Sequence, residues 1–309
     1  MKILVVGAGA VGGYFGGRLL EKGEDVTFLV REKRKKQLEE KGLKIHSVHG
    51  DMHLQPKLIV SGEKSVPFDV IILSTKAYHL NEVIKDIRPF VEKGTMVLPL
   101  LNGISHLELL INEFGEEQVI GGLCFIESTL DGNGAVVQTS PIHNLVFGER
   151  SGIETERIVQ LTKSFADTKA NFIYSGEIMK EMWQKYLFIS CLSGATTLMR
   201  SPIGPIRETK SGFTAIEGIV TEVVTVMEKT GAPITKENIQ PQLAKIKEMG
   251  YEMKSSMQRD MEKGMQTEAD HFFLYLLKKA QAENIKTPYL ELIYANLKVY
   301  EKAVLGIES

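Results

Sequence analysis

The sequence predicts a two-domain α/β protein, with a doubly wound, mostly parallel sheet that carries an antiparallel extension, followed by an all-α domain. The first 167 residues alternate short apolar runs with amphipathic segments, which is the pattern of parallel strands joined by crossover helices. Beyond about Ser175 the strand-like runs disappear, and helical periodicity continues to Val304. We therefore place an α/β domain at 1–167 and an all-α domain at 168–309.

The expected elements follow the chain in order. Strands are predicted at 2–6, 26–30, 69–74, 95–100 and 119–126, with a hairpin at 44–59 and two antiparallel runs at 134–139 and 142–148. Helices are predicted at about 177–199, 211–230, 235–248, 252–263, 267–284 and 288–304.

The first strand leads directly into a glycine-rich turn with the pattern G-x-G-x-x-G. In this pattern Gly7 makes the turn, Gly9 lets the backbone approach a pyrophosphate, and Gly12 lets the following helix pack closely on the strand. A second apolar run, 26–30, follows at βαβ spacing and supplies the context that an isolated motif lacks. We expect a Rossmann-type domain that binds a dinucleotide through Gly7, Ala8, Gly9, Ala10, Val11 and Gly12.

Arg31 directly follows the second strand, at the position that recognises the cofactor's adenine ribose. NAD enzymes place Asp or Glu about 20 residues past the glycines, on the ribose 2′-hydroxyl, whereas an arginine there suits a 2′-phosphate. Arg31 also opens a mixed charge run, 31–41, so the alternative is a solvated surface residue. The position of Arg31 predicts NADP(H) rather than NAD(H).

Composition argues against several function classes. The 309 residues are 43% hydrophobic and 25% charged, with a formal net charge of −2, which is typical of a soluble globular protein and offers no broad field for nucleic acid. No apolar run approaches the roughly 20 residues of a membrane span, and the N-terminal run is too short for a secretory signal. The seven histidines show no ligand spacing. We expect a cytoplasmic protein without metal, membrane or nucleic-acid partners.

Polar residues follow two other predicted strands, at the sheet edge where the site is expected. Ligands of open α/β sheets lie at the carboxyl ends of the strands, and a helical domain beside that edge would close a cleft over the cofactor. Lys76 follows the third parallel strand, so we expect its ammonium to face the cofactor and an anionic substrate. The alternative is a surface lysine at the start of a helix. The amide of Asn102, after the fourth, can donate and accept beside nicotinamide or substrate, or forms a turn with Gly103.

The helical domain contains one unusual lysine. Lys185 lies in a helix rich in large apolar residues and shares a helix face with Ile189 and Ser193. Burial of the ammonium would suit a proton donor, although a lysine at a helix edge can also reach solvent. Glu268 follows Thr267, which is the expected N-cap of the next helix. A carboxylate in the first turn of a helix is also favoured by the helix dipole, so a catalytic role is not needed to explain Glu268.

With these residues identified, the chain resembles the ketopantoate reductase (2-dehydropantoate 2-reductase) family over nearly its full length. The matching segments are residues 7–12 with Arg31, Thr75-Lys76-Ala77, Asn102-Gly103, Trp183-Gln184-Lys185, Ser255-Ser256-Met257 with Asp260, and Thr267-Glu268 with Asp270. The resemblance implies a two-domain, NADPH-dependent oxidoreductase that reduces ketopantoate to pantoate in pantothenate biosynthesis. It also implies a helical domain of the 6-phosphogluconate dehydrogenase C-terminal-like type.

The resemblance implies a role for each matching residue. Lys185 would be the general acid, and Glu268 would bind the substrate hydroxyl and help to position the lysine. Asn102 and Ser256 would contact the substrate, and Lys76 would lie between cofactor and substrate. The apolar-rich helical domain makes a homodimer reasonable.

The chain departs from the family pattern at positions that matter for substrate recognition. Ile189 and Ser193 stand where family members commonly have asparagine, and Phe273-Leu274 stands where they have Asn-Gly. Two alternatives therefore stand beside ketopantoate reduction. One is the same chemistry on another small 2-oxo acid or ketone; the other is a non-catalytic NADP-binding redox sensor, which the presence of Lys185 and Glu268 disfavours.

Overall fold

The computed structural model describes residues 1–63 and 65–306, and the chain divides into two compact units. The first comprises Met1–Leu101 and His106–Met179; the second comprises Asn102–Ser105 and the chain from Lys180 onward. The first unit extends past the expected boundary at residue 167, because a strand at Asn171–Tyr174 pairs in its second sheet.

The first unit contains ten strands and five helices among the described residues. The strands are β1 (Lys2–Val6), β2 (Asp25–Leu29), β3 (Leu43–Ser47), β4 (Met52–Leu54), β5 (Lys57–Ile59), β6 (Val70–Leu73), β7 (Met96–Pro99), β8 (Gly121–Leu130), β9 (Val136–Gly148) and β10 (Asn171–Tyr174). The helices are α1 (Ala10–Lys22), α2 (Glu32–Lys41), α3 (Leu80–Ile87), α4 (His106–Phe114) and α5 (Glu156–Phe165).

The predicted parallel sheet is confirmed. It has the order β5-β2-β1-β6-β7, and every neighbouring pair is parallel. The strand β1 lies at its centre, and the residues from Ile3 to Val6 are buried, as the continuous apolar run predicted. The glycine turn and the ends of β2, β6 and β7 therefore meet at one edge of this sheet.

The second sheet stands where an antiparallel extension was expected, but it is mixed. The pairs β8–β9 and β3–β4 are antiparallel, whereas β9 pairs in parallel with β3 and with β10. This sheet also corrects two strand predictions. The hairpin predicted at 44–59 ends with β4, because β5 instead pairs in parallel with β2 in the first sheet. The runs predicted at 134–139 and 142–148 form one strand, β9, which pairs antiparallel with β8. Pro141 lies where the register between β8 and β9 shifts, so a residue without an amide hydrogen disturbs the ladder but does not end the strand.

The helix α1 packs against strands of both sheets. A Cβ atom on Gly16 would lie 2.8 Å from Phe28 and Val5, and one on Gly17 would lie 2.6 Å from Ile45. Because Gly16 and Gly17 have no side chains, the helix α1 can approach β1 and β2 on one side and β3 on the other. This contact fixes the helix whose N-terminus receives the glycine turn.

The second unit is helical, as predicted. Its helices are α6 (Ile178–Met199, which begins at the end of the first unit), α7 (Ile203–Glu208), α8 (Lys210–Lys229), α9 (Ile239–Glu248), α10 (Ser256–Glu262), α11 (Tyr275–Ala282) and α12 (Pro288–Leu305). The sequence patterns did not predict α7. A π-helical turn, Asp270–Leu274, precedes α11. The expected N-cap is corrected as well. Ala269, and not Thr267, caps the π-helical turn, and the Thr267 hydroxyl donates to Glu301 Oε1 at 2.6 Å.

None of the helices within residues 1–63 and 65–306 is both long enough and apolar enough to cross a membrane. In the same part of the chain, no group of three or more His, Cys, Asp or Glu side chains is arranged to hold a metal ion.

Candidate active site

The glycine turn after β1 has the geometry that its sequence predicts. Gly7 has a φ of +93°, which favours glycine. A Cβ on Gly12 would lie 2.0 Å from Ser74 Oγ and 2.1 Å from the Gly7 carbonyl oxygen, so α1 can start this close to β1 and β6 only without a side chain there. A Cβ on Gly9 would meet no protein atom within 4 Å. Gly7 and Gly12 thus serve the fold, whereas Gly9 borders open space.

A buried hydroxyl lies beside this open turn. Thr75, at the end of β6, has its Cγ2 atom 3.3 Å from the Cβ position of Gly7, and its Oγ1 atom is buried without a hydrogen-bond partner among the described residues. The first turn of α1 has no side-chain cap from Gly9. Amide hydrogens at an uncapped helix start attract anions, so this surface fits a dinucleotide pyrophosphate.

Arg31 and Lys76 lie at the same edge of the first sheet. The Gly7 amide donates to the carbonyl of Leu29 at 3.0 Å, which places the end of β2 and the following Arg31 beside the glycine turn. The Arg31 side chain is 71% exposed, and its Nη2 atom lies 3.0 Å from Glu82 Oε2. Lys76 is partly buried and directly follows Thr75.

Arg34 is a residue of this site that the sequence reasoning missed. Its Nε and Nη2 atoms donate to the Ala8 carbonyl at 3.1 and 2.9 Å, so the guanidinium supports the glycine turn from the first turn of α2. Burial lowers the pKa of Arg34. The neighbouring Lys35 donates to Glu63 at 2.6 Å. The available signal was helical spacing, since Arg34 lies three residues after Arg31.

The second unit holds the predicted proton donor and its carboxylate. Lys185 lies on α6 and is 8% exposed, next to the fully buried Tyr186. Glu268, at the entrance to the π-helical turn, is also 8% exposed. Two ionisable side chains buried to this extent are unusual in a helical domain.

Asn102 belongs to the same unit, although it lies only three residues after the end of β7. Its carbonyl oxygen accepts from His271 Nε2 at 2.6 Å, and Ser105 Oγ lies 2.8 Å from His271 Nδ1. The Tyr186 hydroxyl donates to the carbonyl of Phe272. The Asn102 loop, the turn after Glu268 and the helix of Lys185 are therefore bonded to one another. His271 is the second residue that sequence reasoning missed.

Ser256 lies at the start of α10 and is exposed. The preceding Ser255 is the N-cap and accepts from the Gln258 amide at 3.0 Å. The Ser255 hydroxyl also lies 2.9 Å from Thr196 Oγ1 on α6, which ties this helix start to the helix of Lys185.

The three residues that depart from the family pattern differ in how deeply they are buried. Phe273 is fully buried and Ser193 is 3% exposed, so both belong to the packed interior of the helical unit. Ile189 is partly buried, one turn after Lys185. Of the three, Ile189 has the surface available for a substrate contact.

Comparison with known proteins identifies the family. The ketopantoate reductase PanE/ApbA family matches residues 3–152, and its C-terminal domain family matches residues 177–301. The chain is 49% identical over 301 residues to the uncharacterized oxidoreductase YkpB of Bacillus subtilis (strain 168), covering 97% of this chain and 99% of that protein.

Two solved structures share the fold over almost the whole chain. A 2-dehydropantoate 2-reductase from Geobacter metallireducens GS-15 matches with a TM-score of 0.86 and 29% identity, covering 97% of this chain and 99% of that one. D-mandelate dehydrogenase, solved with NADH and anilino(oxo)acetate, matches with a TM-score of 0.87 and 22% identity, covering 99% of this chain and 100% of that one. The chain belongs to the ketopantoate reductase family of oxidoreductases, which act on CH–OH groups.

Proposed function

We propose that this protein uses NADPH to reduce ketopantoate to pantoate, with Lys185 as the general acid. The observation that carries this proposal is the buried pair of ionisable residues, Lys185 and Glu268, in the unit that also holds Asn102 and Ser256. A glycine turn bordered by open space supplies the dinucleotide site in the other unit.

The side chains suit the charge that develops in a ketone reduction. A bound reduced nicotinamide supplies a hydride to the carbonyl carbon. The Lys185 ammonium holds a proton for the carbonyl oxygen as negative charge grows there, which is general acid catalysis. The Glu268 carboxylate accepts from the substrate hydroxyl and favours the charged form of Lys185. Asn102 and Ser256 orient the substrate through hydrogen bonds.

Most of the proposed cofactor contacts come from the first unit, and Asn102 adds one from the second. We assign the pyrophosphate to residues 7–12, whose turn leaves open space beside Gly9. Arg31 binds the 2′-phosphate of NADPH, because its exposed guanidinium lies at the end of β2, where that ribose is recognised. Lys76 and Asn102, each following a strand of the parallel sheet, lie against the nicotinamide half of the cofactor.

A second candidate function is reduction of a 2-oxo acid with a more apolar side chain. Ile189, which is partly buried one turn after Lys185, stands where a hydrogen-bonding residue is common in the family, and a lost hydrogen bond to a charged group is worth about 1.5–3 kcal/mol. D-mandelate dehydrogenase, with the same fold, was solved with anilino(oxo)acetate. A third candidate, a redox sensor without turnover, is disfavoured because Lys185 and Glu268 are both present.

One assay separates the three candidates. NADPH absorbance is followed with purified protein and a panel of 2-oxo acids that includes ketopantoate and an aryl oxoacetate. Fastest oxidation with ketopantoate supports the proposal, and faster turnover of an apolar acid supports the second candidate. Tight NADPH binding without turnover of any acid supports the sensor.

A complementation experiment tests the biosynthetic role in the cytoplasm. The protein should restore growth to a pantothenate-requiring strain that lacks ketopantoate reductase.

We further propose that the protein is a homodimer. The helix α12 exposes apolar residues at spacings of three, four and four, so that they share one face: Leu292, Ala295, Val299 and Ala303. Light scattering should give twice the chain mass, and Val299→Glu should give the monomer mass. A wild-type monomer at assay concentration would contradict this proposal.

A further inference from the structure

His271 uses both ring nitrogens to hold the loop that carries Asn102. A carbonyl oxygen can only accept, so Nε2 carries the hydrogen and donates to Asn102 at 2.6 Å. In a neutral ring Nδ1 then accepts, and the Ser105 hydroxyl at 2.8 Å donates to it. Burial lowers the pKa of His271, while the Glu268 charge and the hydrogen bond to Asn102 oppose that shift. Burial therefore favours the neutral ring, and these contacts fit that form.

The ring also lies directly against the backbone of the loop. Gly103 has a φ of +84°, and a Cβ on it would lie 3.1 Å from His271 Cδ2 and Nε2 and 3.7 Å from Tyr186 Cε2. A side chain at 103 would therefore push the loop off the histidine. Because Gly103 has no side chain, His271 can come close enough to donate a hydrogen bond to the carbonyl of Asn102, the residue before Gly103.

The turn that carries His271 is fixed on its other side as well. The Phe272 amide donates to the carbonyl of Glu268 at 3.0 Å, and the Tyr186 hydroxyl donates to the carbonyl of Phe272. Tyr186 directly follows Lys185. His271 thus connects the Asn102 loop to the turn that follows Glu268 and, through Tyr186, to the helix of Lys185. The π-helical form of this turn is itself a feature often found at functional sites.

We propose that His271 is a positioning residue, which holds Asn102 in register with Glu268 and Lys185 so that the Asn102 amide meets the bound substrate. This inference rests on the proposed function, because Asn102 is the substrate contact through which His271 acts. Residues that orient a substrate group raise the rate by fixing its geometry, and small displacements of such groups are costly.

The test compares two substitutions of His271. His271→Phe keeps a ring but removes both hydrogen bonds, whereas the amide of His271→Gln can still donate to the Asn102 carbonyl. We expect His271→Phe to lower kcat/KM for the 2-oxo acid roughly tenfold, with NADPH affinity unchanged, and His271→Gln to restore most of it. Exposed His46, changed to Gln, is the matched control.

A double-mutant cycle separates positioning from a general effect on folding. In an Asn102→Ala background the effect of His271→Phe should largely vanish, because the group that it positions is gone. An equal loss of kcat/KM in both backgrounds would overturn the proposal, and so would wild-type kinetics in His271→Phe.

Hydrogen exchange of the cofactor-free protein gives a readout that does not depend on turnover. His271→Phe should speed deuterium uptake in peptides covering 101–106, and His271→Gln should not. Unchanged uptake in His271→Phe would overturn the inference. If the wild-type protein reduces no 2-oxo acid, the proposed function fails and the exchange result alone decides whether His271 holds this loop.

Discussion

Arg31 and Glu82 form an exposed ion pair, with Nη2 3.0 Å from Oε2. The same guanidinium nitrogen lies 3.2 Å from His79 Nδ1, which must accept and is therefore unprotonated. Both side chains of the ion pair are about 70% exposed, so the pair contributes little to stability. A 2′-phosphate carries more charge than one carboxylate and can replace Glu82 as the partner of Arg31.

The first prediction concerns cofactor preference. Arg31→Asp should lower kcat/KM for NADPH and shift preference toward NADH, because an acidic residue suits the 2′-hydroxyl and repels the 2′-phosphate. Glu82→Gln should do the reverse and strengthen NADPH binding by a few-fold, since the competing carboxylate is removed. Fluorescence titration with both cofactors measures the effects. An unchanged ratio of NADPH to NADH efficiency in Arg31→Asp would remove Arg31 from the 2′-phosphate site.

The second prediction concerns the proton donor. Lys185→Ala should reduce turnover by about 10²–10⁴-fold, which is the usual contribution of general acid catalysis. NADPH affinity should stay close to the wild-type value, because Lys185 is not among the residues assigned to the cofactor. Lys180→Ala, on the exposed side of the same helix, is the control. Near-normal turnover of Lys185→Ala in stopped-flow assays would exclude its proposed role.

The parts of the fold that the sequence predicted are those with strong local patterns. The buried strand β1 and its neighbours read as unbroken apolar runs, because both of their faces are covered. The short strand Asn171–Tyr174 was missed because it has four residues with alternate ones exposed, a pattern shared with many loops. The runs 134–139 and 142–148 were predicted as separate strands, but the pairing with β8 continues on both sides of Pro141.

In the candidate site, too, the sequence predicted the residues that belong to a local pattern. The glycine turn and Arg31 lie within one βαβ unit, so spacing alone indicated them. Arg34 acts on Ala8, 26 residues away, and His271 acts on Asn102, 169 residues away. Such contacts depend on how the chain folds back on itself, and no local period encodes them. Sequence therefore identified residues that match a motif and missed those that support them.

The third prediction separates packing from substrate contact at Phe273. The side chain is fully buried, so Phe273→Ala should lower the free energy of unfolding by about 3–5 kcal/mol through lost contacts and a new cavity. Ile153→Ala, at a residue that is 65% exposed, should change it by less than about 0.5 kcal/mol. Urea unfolding followed by circular dichroism measures both. A loss below about 1 kcal/mol in Phe273→Ala would show that the ring is not part of the core.

The fourth prediction concerns acid stability. His143 stacks on His49 with ring centroids 3.6 Å apart, and its Nδ1 lies 2.6 Å from the Tyr14 hydroxyl. Burial, together with His49 and Arg18, lowers the pKa of His143 from 6.5 to about 4. The unfolded chain therefore takes up a proton on His143 at a higher pH than the folded chain, so stability falls as pH drops from about 6.5 to about 4.

The size of this acid effect can be bounded and measured. The shift corresponds to at most about 3 kcal/mol. His143→Phe should flatten the decline of unfolding free energy between these pH values, although it also loses the bond to Tyr14 and lowers stability at neutral pH. A slope in His143→Phe equal to that of the wild-type protein would contradict the assignment.

The fifth prediction uses the two glycines of the turn as a matched pair. Gly9 has φ −84° and ψ −161°, which alanine adopts without strain, and its Cβ would meet no protein atom within 4 Å. Gly9→Ala should therefore fold with a wild-type melting temperature and lose NADPH affinity by at least roughly tenfold, because the methyl group occupies the space of the pyrophosphate. Gly12→Ala would place a Cβ 2.1 Å from the Gly7 carbonyl oxygen, so it should destabilise the fold itself. Calorimetry and NADPH titration of the two variants separate these effects: wild-type affinity in a stably folded Gly9→Ala would mean that the cofactor does not approach this turn.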